Sequence, residues 1–262
     1  MNFTRTFIAA ALITTGSAAF AQASINQNMA IAGNVTPGDA AGFPVTISQS
    51  GSYKLTSNLY VPEGSTGISI TSPNVTLDLN GFSIIGPKTC TRVSATKVVT
   101  CNYTSSPAGV FVGVDGEGAV VRRGNVKGFQ SGIHAYRSTS IEDITATNNN
   151  SGITASGDGN TVFRLSGVNA SLNQNHGISM GGGHGSIERS QSGLNGGSGL
   201  TQSYGVYTLF DIHVFSNFSY GVQGGIGHSV SAYDNGNGGS LNFSGQFRSM
   251  GNNINVDTNT QF

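Results

Sequence analysis

The sequence predicts an all-β protein, a single-stranded right-handed parallel β-helix of about eight coils of ~22 residues. Three observations in register predict it. A glycine followed by an aliphatic residue recurs along the chain, an asparagine stands a fixed distance before several of those glycines, and a short β-prone run follows each of them.

The glycine marker falls at Gly67-Ile68, Gly109-Val110, Gly132-Ile133, Gly152-Ile153, Gly177-Ile178, Gly199-Leu200 and Gly221-Val222. Successive spacings are 42, 23, 20, 25, 22 and 22 residues, so one insertion explains the doubled first interval. The asparagines four positions before the glycines are Asn148, Asn173, Asn195 and Asn217. The β-prone runs include Asn74–Leu79, Ile141–Ile144, Thr161–Leu165 and Leu209–Ile212. One such unit cannot bury its own apolar face. Stacked laps can, with rungs about 4.8 Å apart. The aliphatic residues after the glycines would then form one inward file. The asparagines would form a structural ladder whose amides bond their neighbours above and below. The glycines fit a tight bend, where φ is positive or a Cβ would clash.

In chain order, residues 1–21 read as a signal peptide. Arg5 gives a basic start, Phe7–Thr15 an apolar run, and Ala19-Phe20-Ala21 a cleavage site, so a secreted or periplasmic protein is expected. The apolar run is shorter than the ~20 residues of a membrane span. Residues 22–50, with Phe43–Ile47, supply an N-terminal cap segment, and residues 51–262 form the coil. Residues 88–107 interrupt the repeat between Pro87 and Pro107 and carry Cys90 and Cys101, an even pair that fits a disulfide outside the cytoplasm. The stretch from Gln246 to Phe262 would close the far end, where an open sheet edge invites aggregation.

The stretch Gly51–Pro87, followed by the Ser-Gly-Ile and His-Gly-Ile turns, resembles secreted bacterial right-handed parallel β-helix repeat proteins of the pectate-lyase-like superfamily. The resemblance implies a fold and not a reaction, because that superfamily holds lyases, hydrolases, epimerases and proteins without known chemistry. The family's lyases gather acids around calcium and its hydrolases cluster aspartates. No such set can be carried over here, where Glu142-Asp143 are the only adjacent carboxylates.

Charged residues are only 9% of the chain and the net charge is zero, which gives no footprint for nucleic acid. Aligning the second strand places Arg122, Glu142, Phe163, Glu188 and Phe210 in one column and Arg123, Asp143, Arg164, Arg189 and Asp211 in the next. That alternation reads as a surface salt-bridge ladder. Its other reading is a glycan-cleaving pair, Glu142 and Glu188, about two rungs (~9.6 Å) apart. The five histidines fall at different places in the period, so neither a metal nor any other cofactor is expected.

Two features point to binding instead. The insertion carries Lys88, Arg92 and Lys97 and no acid, a basic finger for anionic polysaccharide. Tyr204 and Tyr207 lead an aromatic cluster that ends at Tyr220, and sugar faces stack on aromatic rings. The expected protein therefore binds polysaccharide or cell-envelope surfaces without turning them over. A lyase or hydrolase on the charged strand face, and a structural or adhesive surface protein, are the alternatives.

Overall fold

A computed structural model describes residues 22–102, 105–237, 241–244, 247–257 and 260–261, so the expected signal peptide lies outside the described residues. The chain winds as a parallel β-solenoid whose first face stacks Val45, Ile68, Val110, Ile133, Ile153, Ile178, Leu200 and Val222 in unbroken register. A bridge from Val222 to Phe243 adds a ninth rung. Every one of the eight strand residues is buried. At about 4.8 Å per rung the stack is roughly 40 Å long.

A second file, Tyr53, Leu77, Val121, Ile141, Leu165, Ile187 and Leu209, lines the second face. A third file runs Leu59, Ile84, Val126, Ala146, Ala170, Ser192, Val214 and Ala232. Three inward files make one triangular core. Side chains shrink to alanine and serine in the third file, where Ser192 Oγ donates to the Gly199 carbonyl oxygen at 2.6 Å.

The second and third faces meet at a one-residue bend. Arg123, Asp143, Gly167, Arg189, Asp211 and Ser229 all have φ between 46° and 66° there. In five of these rungs one strand runs on through the bend, as in Thr139–Thr147, and at Gly167 it divides into Val162–Ser166 and Asn169–Ser171. The column expected from sequence is corrected at one rung: Gly167, not Arg164, occupies the bend. The register there also places Ser166, not Phe163, between Glu142 and Glu188. Phe163 turns into the core instead.

The third corner holds the asparagine ladder. Asn173 takes Asn149 N–H at 3.1 Å, Asn195 takes Asn173 N–H at 3.0 Å, and Asn217 takes Asn195 N–H at 3.1 Å on their Oδ1 atoms. Asn235 and Asn242 continue the series. Each amide also donates to a neighbouring rung, as Asn195 Nδ2 does to Asn217 Oδ1 at 2.9 Å and to the Ala170 carbonyl at 3.1 Å. All six are buried. A buried amide is tolerable only when fully bonded, which stacking achieves.

The ladder residue in its first rung is Asn149, which corrects Asn148. Asn148 adopts φ 56° at the bend beside the ladder. The turn from Asn149 to Gly152 is one residue shorter than that from Asn173 to Gly177, so counting back from the glycine lands one position early. The recurring glycines themselves are required by close approach. A Cβ on Gly132 would lie 2.5 Å from the Gly152 carbonyl oxygen and 2.9 Å from Asn149 Nδ2.

At the N-terminal end the short helix Gln27–Ala32 begins at Asn26, whose side chain accepts from Met29 N–H, and buries Ala30. Within the 22–50 segment, Val45–Ile47 is already paired with the next rung. At the other end Ile254–Asn255 pairs antiparallel with Thr260–Gln261.

Candidate functional site

Three exterior regions carry the residues singled out in the sequence: the insertion, the charged bend, and the corner between the first and second faces.

The insertion forms the antiparallel hairpin Cys90–Arg92 with Val99–Cys101, closed by the Cys90–Cys101 disulfide. It is not a free basic finger. Lys97 Nζ pairs with Asp234 Oδ1 at 2.6 Å and donates to the Gly236 carbonyl at 2.9 Å. Arg92 Nη2 donates to the Ser216 carbonyl at 3.1 Å. Lys88 is 5% exposed and donates to the Asn102 carbonyl, with burial pulling its ammonium below the usual lysine range. Lys88 N–H bonds the Gly128 carbonyl, and Cys90 Sγ lies 4.0 Å from the Asn149 carbonyl oxygen. The hairpin thus lies along the ladder corner from Gly128 to Gly236, five rung steps or roughly 24 Å. Its cations hold the coil's own carbonyls and one carboxylate, so Lys88, Arg92 and Lys97 form a strap and not an anion-binding surface.

The charged bend brings more together than strand alternation allows. Because Asp143 sits in the left-handed bend, Glu142 and Asp143 face the same side. They line a hollow of about 440 Å³ with Arg164, Ser166, Glu188 and Arg189. Arg189 Nη1 lies 3.3 Å from Glu188 Oε2, and its Nη2 donates to Ser166 Oγ at 2.6 Å. The remaining ion pairs differ from the expected ladder. Arg122 Nε lies 3.5 Å from Asp78 Oδ2, and Arg123 binds the same carboxylate through both Nε and Nη2. Burial pushes the Asp78 carboxyl up. The hydrogen bonds from Arg123 and Asn80 N–H and the two arginine charges outweigh that, holding it below the usual carboxylate range.

The corner between first and second faces is built of glycine. Gly181, Gly182, Gly183, Gly205, Gly224 and Gly225 leave its backbone bare over two hollows of about 440 and 390 Å³. Both hollows are lined by Tyr204, which is 78% exposed. Tyr207, paired with it in the sequence reading, is instead fully buried, with its hydroxyl donating to the Gly182 carbonyl and burial pushing its pKa up to about 12. Tyr207 fills the coil beneath the corner, at the wall of the first of these hollows.

A third hollow of about 300 Å³ lies on the same corner nearer the N-terminus, lined by Phe111, Val114, Asp115 and Tyr136. The Tyr136 ring stands 4.5 Å from that of His134 and 5.7 Å from that of Phe111. Burial lowers the His134 pKa. Tyr136 was not singled out in the sequence. Its signal was its place one step after Ala135, in the register that leads to Tyr204 three rungs on.

Among the described residues no three His, Cys, Asp or Glu converge as metal ligands, and no helix is long and apolar enough to cross a membrane.

No protein-family model matches the chain, and no curated protein matches it. Among solved structures it is similar to the Dettilon tailspike protein, at 17% identity and a TM-score of 0.51 over 72% of this chain. The match takes up 40% of the tailspike chain, so less than half of that neighbour is covered. The likeness is one of coil architecture, and in that architecture this chain is a parallel β-helix.

Proposed function

We propose that this is a secreted β-helix protein that binds polysaccharide or cell-envelope surfaces without cleaving them, through the glycine-lined corner at Tyr204. One observation carries the reading: Tyr204 stands 78% exposed between two hollows lined in good part by glycine. An isolated soluble domain gains nothing from presenting a large ring to water, whereas a rigid ring beside bare amides and carbonyls suits a sugar's apolar face and hydroxyl rim. The similar solved structure is called a tailspike, a surface appendage by that word, and this supports an outward-facing role. Residues 1–21 would direct the chain across the membrane and be removed. The superfamily resemblance adds support for glycan as the ligand class.

The test is co-sedimentation with insoluble polysaccharides and purified cell envelopes, with sugar release monitored in the supernatant. Binding without release, lost in Tyr204→Ala, is the expected result. Binding unchanged in Tyr204→Ala removes the proposal.

A second reading rests on the charged bend, where Glu142, Asp143 and Glu188 share one hollow with two arginines. A lyase or hydrolase there would release unsaturated or reducing ends, and Glu142→Gln would abolish them. Arg189 already occupies Glu188, which makes this the lesser reading.

A further inference from the structure

We propose that the ligand of this corner is an uncharged, extended oligosaccharide that lies parallel to the coil axis and stacks on Tyr136 and Tyr204 at once. The inference rests on the reading of Tyr204 as a glycan platform and adds its direction, its second platform and its charge class.

The direction follows from register. Ala135 pairs with Ala155, so Tyr136 stands level with Ser156 in the next rung; Ser156 pairs with Gly181, and Gly181 with Tyr204. The two tyrosines therefore occupy one axial column three rung steps apart, about 14 Å. In that column only Ser156 and Gly181 stand between them, with the Gly157–Gly159 turn and His184 walling the hollow at Tyr204. This trough has a ring and a separate hollow at each end, a span that an oligosaccharide bridges and a monosaccharide does not.

Both ends are suited to hold a sugar ring. Tyr136 is 38% exposed, and its other side is packed against His134 and Phe111, which fixes the ring before any ligand arrives. A fixed aromatic surface loses little entropy on binding. Tyr204 is more open and is carried on a bulge, where the register slips between Met180 and Gly181. Two linked contacts reinforce each other through effective concentration, so affinity should grow with ligand length until both rings are covered.

The charge class follows from what lies along the trough. Arg137 Nη1 is paired with Asp158 Oδ2 at 3.2 Å, and its Nε is bonded to the Val114 carbonyl. Asp158 in turn accepts from Asn160 N–H and from Thr161 Oγ1. The cation and the anion nearest the floor neutralise each other. Between the two rings an acidic polymer meets no lysine or arginine but this paired one; Asp115 stands beside Tyr136, and Arg248 lies beyond Tyr204 in its outer hollow.

The glycine supplies a clean test. A Cβ on Gly181 would meet the Ala155 carbonyl oxygen at 3.7 Å and Ser156 Oγ at 3.9 Å, ordinary contact distances, and no positive φ is required of it. Gly181→Leu therefore fills the trough while leaving both tyrosines in place. The experiment is calorimetric titration of the full chain with size-graded cello-, malto- and manno-oligosaccharides beside oligogalacturonates, for wild type, Tyr136→Ala, Gly181→Leu and Tyr204→Ala.

For at least one neutral series, affinity is expected to rise with length and then level off. Gly181→Leu and Tyr136→Ala should each cost the longer chains about tenfold and leave the disaccharide unaffected. Tyr204→Ala should weaken both. Long-chain affinity equal to wild type in Gly181→Leu and Tyr136→Ala, with Tyr204→Ala still impaired, overturns the axial trough and leaves the Tyr204 reading standing. Preferential binding of oligogalacturonate overturns the charge class. Absence of binding in every series overturns this inference, and a simultaneous lack of binding to insoluble glycans and envelopes overturns the reading beneath it.

Discussion

Two corners of the same coil solve opposite problems. At the asparagine corner, six side-chain amides are buried and bonded from rung to rung, and a disulfide-closed hairpin is fastened over them. At the glycine corner the backbone is nearly bare, and the one large side chain between two of its hollows points into water. Side chains are concentrated where the chain must be held and withdrawn where something can be received. Stability and recognition are therefore separable, and mutations at the two corners should move different measurements.

The largest effect belongs to the middle of the ladder. Asn195→Ala leaves Asn173 N–H and one of its two Nδ2 hydrogens without an acceptor inside the coil, the other keeping the Ala146 carbonyl. Each orphaned buried donor costs about 1–3 kcal/mol, so urea unfolding should register a loss of roughly 3 kcal/mol or more. Asn148→Gly tests the contrast one position from the ladder. Its φ of 56° suits glycine, and its stability should stay within about 0.5 kcal/mol of wild type. Equal losses in the two variants would abolish the distinction between ladder and bend.

Next comes the strap. Replacing both cysteines by serine reopens a loop of 11 residues' separation, which the chain-entropy model values at about 3 kcal/mol at most. Protection from hydrogen exchange should fall along the ladder corner near Asn195 and Asn217 and stay unchanged at Tyr204.

Acid should loosen the coil at Asp78. Its folded carboxyl is held below its unfolded value of 3.8, so its contribution is complete above that pH. It fades as pH falls through the lower folded value. Arg123→Ala, followed by thermal melts across pH 2–6 (a window set about the ordinary Asp range), should flatten this dependence. An identical pH slope in the variant would remove Asp78 as its source.

The smallest stability effect is expected from Tyr204→Ala. An exposed ring contributes within about 0.5 kcal/mol, so its melting curve should overlay that of wild type while glycan co-sedimentation is lost.

The architecture was legible because aliphatic spacing is a local record of a global stack: Ile133, Ile153 and Ile178 announce their file without any knowledge of the turns. The ladder was legible except at its short turn. Counting three residues forward from the inward residue of the third face gives Asn149 from Ala146, Asn173 from Ala170 and Asn195 from Ser192, where counting back from the glycine fails once. The strap was illegible because Arg92 and Lys97 find their partners 124 to 139 residues away. No local pattern encodes such a meeting. The convergence of Glu142 with Asp143 was hidden by a left-handed φ inside what reads as a continuous strand. The separation of Tyr204 from Tyr207 was hidden by the bulge between them, where Gly205 at φ 91° breaks the alternation that runs on from Leu200.

Stacked-repeat proteins are ordinarily nearest-neighbour systems, in which an end can peel away without consulting the middle. The hairpin breaks that rule here, tying a segment near residue 90 to rungs near residue 235. The hairpin cannot be fastened until rungs some 137 to 139 residues further along the chain have formed. Once fastened, the last laps cannot unravel without lifting it, so the coil should melt as a single block and not fray turn by turn.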